Sequence, residues 1–600
     1  MHCAATRLAS ILRPRSFRVS SILTLNHLPA SASLFSHLPN RHLSISARAM
    51  AEYKLKDVTS LSLKVGDKQE AEVEGIEGAK VLLVNAAGTI QAIGPKCTHY
   101  GAPLVKGVLT ANGRITCPWH GACFNAKTGD VEDAPALDYL PTFKVVEKDG
   151  AVYVSGDKET IKSGRRKPNI KCAVAKQATS DKVVIVGGGS GAIGAVEALR
   201  EKGFSGSITV VTNEGYLPID RPKLSKALIA DPSKVQLRDQ AWFDSGSITV
   251  VQDEVTGVNF SNKSVQTKGA GNIAYTKLIL STGGTARTLP LQGFKVLGNI
   301  FTLRNVHDVK KITDVLGANG GSKKKVVIIG SSFIGMEAAN ATAKDHDVTV
   351  IGMEKVPLER ILGHDIGVSA QKGLEKSGVK FYLSASVDKA EPSADDPSKV
   401  GAVFLKDGTK LDADVVILGI GVSPATEFLR DNSVVRLEKD GSLKTDETYS
   451  VVGLKDVYAI GDIATFPYHG PGSEGKYVRI EHWNVAQKSG RIAAHHIVSP
   501  GAVPTGADAY FTPVFWSALS AQLRYCGNTA ASGYDDIVVQ GSFDSGSWAA
   551  FYTKGETVVA VATMGKDPVM VQSAELMNVG KMPSKSQLEG GLDVLSLGAP

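Results

Sequence analysis

The sequence predicts a multidomain protein: an N-terminal all-β domain, two nested α/β domains of the doubly wound type, and a C-terminal α+β domain. Three observations predict this order. Short alternating strands separated by turns fill residues 53–156. A buried strand followed by a glycine loop and a helix occurs twice, starting near Val183 and near Val326. A β-rich stretch then precedes the C-terminus, and 600 residues suffice for about three to five domains.

Changes in residue pattern set the predicted boundaries. Hydrophobic periodicity is lost over residues 157–181, which predicts a surface linker whose basic residues are solvated. The first α/β domain is interrupted by the second, because the strand–loop–helix unit repeats inside it. The predicted α/β and C-terminal domains are residues 182–303 with 423–500, residues 304–422, and residues 501–600.

The net charge of +7 is concentrated at the N-terminus, where residues 1–51 contain six arginines and no acidic residue. The rest of the chain is nearly neutral, so we expect no nucleic-acid partner. An arginine- and serine-rich, acid-free start predicts a mitochondrial transit peptide over residues 1–50. A disordered basic tail, or a cytoplasmic form starting at Met50, are the alternatives. We expect no membrane span, since no segment has the roughly 18 uninterrupted apolar residues that one needs.

Two cysteine–histidine motifs lie inside the predicted all-β domain. Cys97 precedes His99, Cys117 precedes His120, and a glycine follows each histidine motif. Two thiolates on one iron and two imidazoles on the other form a Rieske [2Fe-2S] centre. The alternative is one structural zinc ion held by all four side chains.

The first strand–loop–helix unit has the spacing of a dinucleotide-binding fingerprint. Gly187 and Gly189 allow the backbone to approach a pyrophosphate, and Ala192 occupies the third position of the motif. Glu214 follows the second strand, where an acidic residue binds a ribose hydroxyl. One such motif is weak evidence, but the chain repeats it.

The second unit contains Gly330, Gly335 and Glu337, with Ser332 in place of the middle glycine. Two nested units predict one site for FAD and one for NAD(P)H. Glu354 stands just beyond the second strand of this unit, which favours NADH over NADPH.

Further motifs make residues 182–500 resemble the two-dinucleotide flavoprotein reductases of the apoptosis-inducing-factor and ferredoxin-reductase branch. They are R-P-K-L-S-K from Arg221, S-T-G-G-T-A-R from Ser281, G-I-G-V-S-P from Gly419, Y-A-I-G-D from Tyr458, E-H-W from Glu481 and P-V-F-W-S from Pro513. With the cysteine–histidine motifs in front, the whole chain resembles the Rieske-containing, apoptosis-inducing-factor-like flavoprotein oxidoreductases.

The resemblance implies roles for particular residues. Lys226 would act catalytically as a cation beside the flavin, unless it is an ordinary surface lysine, and Glu337 would contact nicotinamide ribose or pair with a neighbour. The other implied sites are Arg221 on FAD, Thr282 and Arg287 where the chain leaves the FAD domain, Gly421 beside the nicotinamide, Asp462 on the ribityl chain and Trp483 near the isoalloxazine.

The cysteine inventory limits the chemistry. Residues 173–525 contain no cysteine, which excludes a flavin–disulfide cycle in this part of the chain. We therefore expect electrons to pass from NADH through FAD to the cluster and on to an unknown small-molecule or protein acceptor. The alternatives are a signalling protein whose redox state controls partner binding and a reductase component for an oxygenase or another specific acceptor. A homodimer is possible in each case.

The residues around the ligands predict the direction of the cluster potential. Ala122 offers no hydroxyl to cluster sulfur, and Trp119 and Ala102 occupy the positions of the extra disulfide found in high-potential centres. Fewer hydrogen bonds to sulfur lower the potential, so we expect the low end of the Rieske range, about −150 mV. Cys123 is predicted to be a small, buried apolar residue and not a ligand.

Overall fold

The computed structural model describes residues 51–168, 170, 180–317, 321–501 and 511–598. The predicted transit peptide, residues 1–50, lies outside the described residues. Among the helices described, none has the length and apolar content that crossing a bilayer requires.

The N-terminal domain is built from two antiparallel sheets, and its first strand pairs with its last. Positive φ angles at Asp149 and Gly150, 51° and 70°, form the turn between the strands Thr142–Lys148 and Ala151–Gly156. The six-stranded sheet has the order Ala51–Lys54, Ala151–Gly156, Thr142–Lys148, Thr89–Ile93, Lys80–Ala86, Lys68–Glu72. The four-stranded sheet has the order Val108–Leu109, Arg114–Thr116, Cys123–Asn125, Val131–Asp133, and a short 3₁₀ helix spans Leu104–Lys106.

The predicted solvated linker is wrong in its first half. A helix, Lys158–Ser163, begins after Asp157, whose carboxylate accepts a hydrogen bond from the Thr160 N–H. Arg165 then binds the Asp138 carboxylate and the Thr98 carbonyl, and Arg166 donates to the Thr128 carbonyl at 2.8 Å. The basic side chains thus attach this segment to the N-terminal domain, which a local charge pattern does not reveal. Residues 169 and 171–179 of the predicted linker lie outside the described part of the chain.

The first α/β domain contains a five-stranded parallel sheet, as the strand–loop–helix unit predicts. Its order is Ile248–Gln252, Ser207–Thr212, Lys182–Val186, Lys277–Leu280, Val457–Ala459. Its helices are Ser190–Glu201, Pro222–Ala227, Gln240–Ser245 and Trp483–Val498, with 3₁₀ turns at Pro232–Lys234, Glu427–Leu429 and Gly461–Ile463. Two small sheets comprise Val255–Asn259, Ser264–Thr267 and Asn272–Ala274, and Leu443–Lys444, Ala464–Tyr468 and Lys476–Val478.

The second α/β domain has its own parallel sheet, of order Ile300–Thr302, Val415–Leu418, Lys325–Ile329, Asp347–Ile351, Lys380–Tyr382. The strand Ile300–Thr302 pairs here, although the sequence placed residues up to 303 in the first α/β domain. The chain crosses between the domains at Gly284–Ala286 and Val422–Pro424, which pair antiparallel. The helices are Val306–Leu316, Phe333–Thr342, Glu359–Leu362 and His364–Glu375, and a small sheet comprises Val387–Pro392, Val400–Leu405 and Lys410–Asp412.

The C-terminal domain is α+β, as predicted, and its core extends beyond its own residues. Its antiparallel sheet has the order Val514–Ala518, Gln522–Gly527, Thr557–Met564, Ser547–Lys554, Asp536–Ser542. Helices span Thr529–Ser532, Val569–Asn578 and Lys585–Glu589, and a 3₁₀ helix spans Val594–Leu597. Val108 of the N-terminal domain packs into the core formed by Val514, Phe551 and Met570. The N-terminal domain is therefore seated on the C-terminal one.

Candidate active site

The two cysteine–histidine loops share one backbone design. In the first loop the Cys97 N–H donates to the Ala102 carbonyl at 2.8 Å, and the Gly101 N–H donates to the Cys97 carbonyl at 2.9 Å. The loop around Cys117 repeats both hydrogen bonds, at 2.8 and 3.2 Å. Gly101 and Gly121 have φ angles of 80° and 71°, which explains why a glycine is needed at each position.

The four predicted ligands form two pairs. The Nδ1 atoms of His99 and His120 face each other at 3.2 Å. A hydrogen bond to Cys117, together with burial, raises the pKa of the Cys97 thiol well above its usual value. Within the described residues no three His, Cys, Asp or Glu side chains surround a single ion position. One thiol pair beside one imidazole pair fits a two-iron cluster, in which each iron takes two ligands of one kind.

The histidine pair opens into a cavity of about 1700 Å³. The cavity continues between the first α/β domain, called the FAD-type domain from here on, and the C-terminal domain. His99, Tyr100 and His120 contribute to its wall. Most of the residues predicted to bind FAD or NAD(P)H line the same cavity: Gly187, Gly189, Glu214, Arg221, Lys226, Thr282, Glu337, Gly421, Asp462 and Trp483. Five predicted residues are not part of this wall: Ala192, Arg287, Gly330, Gly335 and Glu354.

The glycine loop fits a pyrophosphate. Gly187 has a φ of +107°, and a Cβ there would lie 2.2 Å from the Ser281 carbonyl oxygen. A Cβ on Gly189 would meet nothing within 4 Å, so the backbone is open to the cavity at the start of the helix Ser190–Glu201. Ala192 is buried in that helix, whose packing needs glycine at Gly194, where a Cβ would lie 2.2 Å from the Gln487 carbonyl.

Two ion pairs form part of the cavity wall beside this loop. Arg221 Nη2 lies 2.7 and 2.9 Å from the two carboxylate oxygens of Glu214. Arg304 Nη2 lies 2.8 Å from Asp462 Oδ2, and the Arg304 carbonyl accepts from Arg221 at 2.7 Å. Arg304 is not among the residues that the sequence predicts for this site. Its position two residues beyond the strand Ile300–Thr302, at a carboxyl end of the sheet, is the signal that could have identified it.

Lys226 is not a surface lysine. Its Nζ lies 2.9 Å from the Glu337 carboxylate and 5.1 Å from the centre of the Trp516 ring. Glu337 is only 4% exposed and accepts hydrogen bonds from the hydroxyls of Ser225 and Ser517, at 2.5 and 2.8 Å. Its carboxylate therefore pairs with a neighbour, which is one of the two roles considered for it, and it holds the lysine cation in the cavity wall.

Three nitrogen atoms in the cavity wall are buried and, among the described residues, have no hydrogen-bond partner. They are Nε2 of His120, Nε1 of Trp483 and Nε1 of Trp516. Buried donors are normally satisfied, so these atoms fit a polar group bound in the cavity. His482, also in the wall, is neutral near pH 7 because burial lowers its pKa to about 4.

The second dinucleotide unit has a similar turn. Gly330 has a φ of +112°, and a Cβ there would lie 2.3 Å from the Gly419 carbonyl oxygen, while a Cβ on Gly335 would lie 2.0 Å from that of Gly330. Ser332, which replaces the middle glycine, donates to the Gly419 carbonyl at 3.2 Å. Glu354 accepts from the Ser331 hydroxyl at 3.0 Å and pairs with Arg360 at 2.8 Å.

Cys123 is buried, as predicted, but its thiol contacts polar groups and does not act as a simple apolar side chain. Arg114 Nη2 lies 2.9 Å from its sulfur, and the Thr116 hydroxyl lies 3.2 Å away. Arg114 and Thr116 also bind the Glu575 carboxylate, at 3.2 and 2.6 Å. This buried polar group joins the N-terminal domain to the helix Val569–Asn578 of the C-terminal domain.

Paired thiols, paired imidazoles and two dinucleotide-type units around one cavity define an electron-transferring oxidoreductase. Residues 181–490 match the family described as pyridine nucleotide-disulphide oxidoreductase. Residues 52–144 match the Rieske [2Fe-2S] domain, and residues 514–591 match the reductase C-terminal domain. The chain belongs to the pyridine nucleotide-disulphide oxidoreductase family and carries an N-terminal Rieske domain. FAD, NAD(P)H and a [2Fe-2S] cluster are the cofactors that these domains imply, and the zinc alternative is discarded.

Individual relatives support this assignment. Apoptosis-inducing factor 3 of Homo sapiens is 37% identical over 533 residues, which cover 88% of this chain and 85% of the relative. Rhodocoxin reductase of Rhodococcus erythropolis is 33% identical over 392 residues, covering 64% of this chain and 86% of the relative. Among solved structures, the covalent putidaredoxin reductase–putidaredoxin complex matches with a TM-score of 0.63 and 28% identity, over 70% of this chain and 98% of that one.

Proposed function

We propose that this oxidoreductase moves electrons from NADH through FAD to the Rieske cluster of the same chain, and from the cluster to an external acceptor. One observation carries the proposal: His99 and His120 line the same cavity as Gly189, Asp462 and Trp483. When bound, FAD takes electrons from NADH in pairs and releases them singly, which is the exchange that a one-electron cluster requires. One NADH thus supplies two one-electron reductions of the acceptor.

The residues of the cavity have distinct tasks in this proposal. The open backbone at Gly189 and the start of the helix behind it would hold the pyrophosphate of FAD. The Lys226 cation, fixed by Glu337 at 2.9 Å, would stabilise negative charge on the flavin ring. The buried carboxylate of Glu337 holds the lysine side chain in place, so the pair acts as one unit.

The histidine pair is enclosed by aromatic rings. The rings of His99 and Tyr100 stack at 3.7 Å, and the rings of His120 and Trp516 meet edge to face at 4.9 Å. Tyr100 and Trp516 thus pack against the two imidazoles beside the cavity. The contact with Trp516 joins His120, a predicted cluster ligand, to the C-terminal domain, which supports the proposal of electron transfer within one chain.

The acceptor is proposed by class only. The putidaredoxin reductase of the solved complex is bound to a separate protein, putidaredoxin. In this chain the Rieske domain is covalently part of the reductase, so we propose a further one-electron acceptor, protein or small molecule, beyond the cluster. A role as the reductase component of a specific acceptor system is the second candidate, favoured by the 33% identity with rhodocoxin reductase. A signalling role is the third, favoured by the similarity to apoptosis-inducing factor 3.

A matched pair of cysteine variants tests the route. Cys117→Ser removes a predicted iron ligand, whereas Cys123→Ser alters a nearby buried thiol that is not predicted to be a ligand. We expect Cys117→Ser to lose the cluster signal in electron paramagnetic resonance, to keep NADH-dependent bleaching of the flavin, and to lose most reduction of cytochrome c. Cys123→Ser should retain all three. Cytochrome c reduction at the wild-type rate by a cluster-free Cys117→Ser protein would refute the cluster as the electron exit.

We also propose that residues 1–50 direct the protein to mitochondria. The support is the acid-free, arginine-rich composition of this segment. Fusing residues 1–50 to a fluorescent protein should send it to mitochondria, and replacing the six arginines by glutamine should abolish the import. A diffuse cytoplasmic signal from the unaltered fusion would favour the start at Met50 instead.

A further inference from the structure

Arg524 is a buried arginine of the C-terminal domain that reaches the second cluster loop. Its side chain is only 5% exposed, and its Nη1 donates to the Trp119 carbonyl at 3.3 Å. Trp119 lies between Cys117 and His120, one ligand of each iron. The contact therefore joins the C-terminal domain to the backbone between the two ligands of this loop.

The guanidinium is held in one orientation. Its Nε lies 2.5 Å from one carboxylate oxygen of Asp567, and its Nη2 lies 2.9 Å from the other. Gln522 accepts a further hydrogen bond from Nη2 at 3.0 Å. A bidentate fork of this kind fixes the plane of an arginine more firmly than a single bond does.

The two charges of the Arg524–Asp567 pair differ in how much water reaches them. The Asp567 side chain is 31% exposed, whereas that of Arg524 is 5% exposed. Water screens the aspartate, while the arginine acts on the cluster loop through buried protein, where the effective dielectric constant is low. The side facing the loop therefore experiences a net positive potential.

Two other cations near the cluster ligands are compensated by buried partners. Arg114, behind Cys123, pairs with the buried carboxylate of Glu575 at 3.2 Å. Lys226, near Trp516, pairs with the buried carboxylate of Glu337 at 2.9 Å. In contrast to these two, Arg524 pairs with a carboxylate that is partly in water.

We propose that Arg524 is a positioning residue that fixes the second cluster loop on the C-terminal domain and raises the redox potential of the Rieske cluster. One-electron reduction adds a negative charge to the cluster, and a nearby buried cation stabilises the reduced form. The potential would thus exceed the value that the two loops produce by themselves. The inference rests on the proposed function only in requiring that the cluster is bound.

Variants of both partners distinguish an electrostatic effect from a loosened loop. Arg524→Gln removes the cation, and we expect a lower midpoint potential. Asp567→Asn removes the counter-charge while keeping an acceptor for the guanidinium, and we expect a higher one. Arg524→Lys keeps the charge without the fork and should lie between wild type and Arg524→Gln. Arg430→Gln, whose side chain is 69% exposed, is the matched control and should leave the potential unchanged.

The measurement is a redox titration of the full-length holoprotein with dithionite and mediators, followed by electron paramagnetic resonance of the reduced cluster. Because NADH is not used, failure of the proposed electron route would not affect this result. Shifts of Arg524→Gln and Asp567→Asn in the same direction, or no shift in either, would overturn the proposal. If Arg524→Gln does not retain its cluster, Asp567→Asn and Arg524→Lys replace that comparison. Midpoint potentials that shift in the same direction in these two variants, or in neither, would then overturn the proposal.

Discussion

Tyr100 Oη donates a hydrogen bond to Asp220 Oδ2 at 2.5 Å, joining the first cluster loop to the FAD-type domain. Asp220 is 5% exposed and also pairs with Lys223 at 3.2 Å. Tyr100 in turn stacks on the imidazole of His99. The position of a cluster ligand thus depends on a carboxylate 120 residues further along the chain.

Tyr100→Phe should weaken this connection. A buried carboxylate would lose a hydrogen bond, which costs about 1–3 kcal/mol of unfolding free energy. We expect a lower urea midpoint and slower reduction of the cluster after the flavin is reduced, measured by anaerobic stopped-flow absorbance with NADH. Tyr382→Phe is the control, since this tyrosine is 37% exposed in another domain. Unchanged cluster reduction in Tyr100→Phe would show that the bond does not position the loop.

Arg238→Gln should lower the free energy of unfolding by more than Tyr100→Phe does. Arg238 lies 2.5 Å from the Asp138 carboxylate of the N-terminal domain and 2.9 Å from the Glu197 carboxylate of the FAD-type domain. Removing the cation leaves the buried Glu197 carboxylate without this ion pair and leaves Asp138 with Arg165 alone, a loss of about 3–5 kcal/mol. Urea unfolding followed by tryptophan fluorescence would measure it. In Lys310→Gln, which breaks an exposed pair with Asp314, the change should stay within about 0.5 kcal/mol.

The buried histidine at the start of the helix Trp483–Val498 predicts a pH dependence. Burial lowers the pKa of His482 from 6.5 to about 4, so the folded protein resists a proton that the unfolded chain accepts. The resulting stability is fully present above pH 6.5 and is lost as the pH falls towards 4. His482→Asn keeps a helix-capping side chain but cannot titrate in this range.

Unfolding midpoints at pH 7.5 and pH 5 would therefore differ less in His482→Asn than in the wild type. The comparison isolates this residue, because all other titrating groups are common to both proteins. An equal pH dependence in the two proteins would contradict a depressed pKa for His482.

Coenzyme choice is predicted to depend on Glu354. Its carboxylate would accept a hydrogen bond from the ribose 2′-hydroxyl of NADH and repel the 2′-phosphate of NADPH. We therefore expect a higher kcat/KM for NADH than for NADPH. Glu354→Ser also removes the partner of Arg360, which would then be available to a phosphate. The ratio of kcat/KM for NADH to kcat/KM for NADPH should fall by about tenfold, which corresponds to about 1.4 kcal/mol. Glu391→Gln, an exposed change in the same domain, should leave it unaltered. A wild-type preference for NADPH would reverse the assignment.

The cluster potential is predicted to lie low in the Rieske range, about −150 mV, on the evidence of its loops. Arg524 acts in the opposite direction, so Arg524→Gln should approach the value set by the loops alone. A clearly positive wild-type potential in the redox titration would show that surroundings outweigh the missing hydrogen bonds.

Local patterns determined the cofactor-binding motifs, because each ligand set lies within a few consecutive residues. Cys97 with His99, Cys117 with His120, and the glycines near Gly187 and Gly330 are constrained by short-range backbone geometry that a sequence states directly. The order of the domains could be predicted as well, because each domain carries such a local motif. The errors were also local in origin: Arg165 and Arg166 looked solvated, and Cys123 looked apolar, because their partners are distant in sequence.

Only the tertiary structure decided how these units act together. Arg524, Glu337 and Tyr100 each bind a residue of another domain. In each of these three contacts the two residues are more than a hundred positions apart in the sequence. Such contacts arise from long-range packing and from the need to compensate buried charge, and no spacing in the sequence encodes them. The sequence by itself determined that this protein carries a Rieske cluster and two dinucleotide sites. Only the tertiary structure showed that the two histidines predicted to bind the cluster line the same cavity as the FAD motifs.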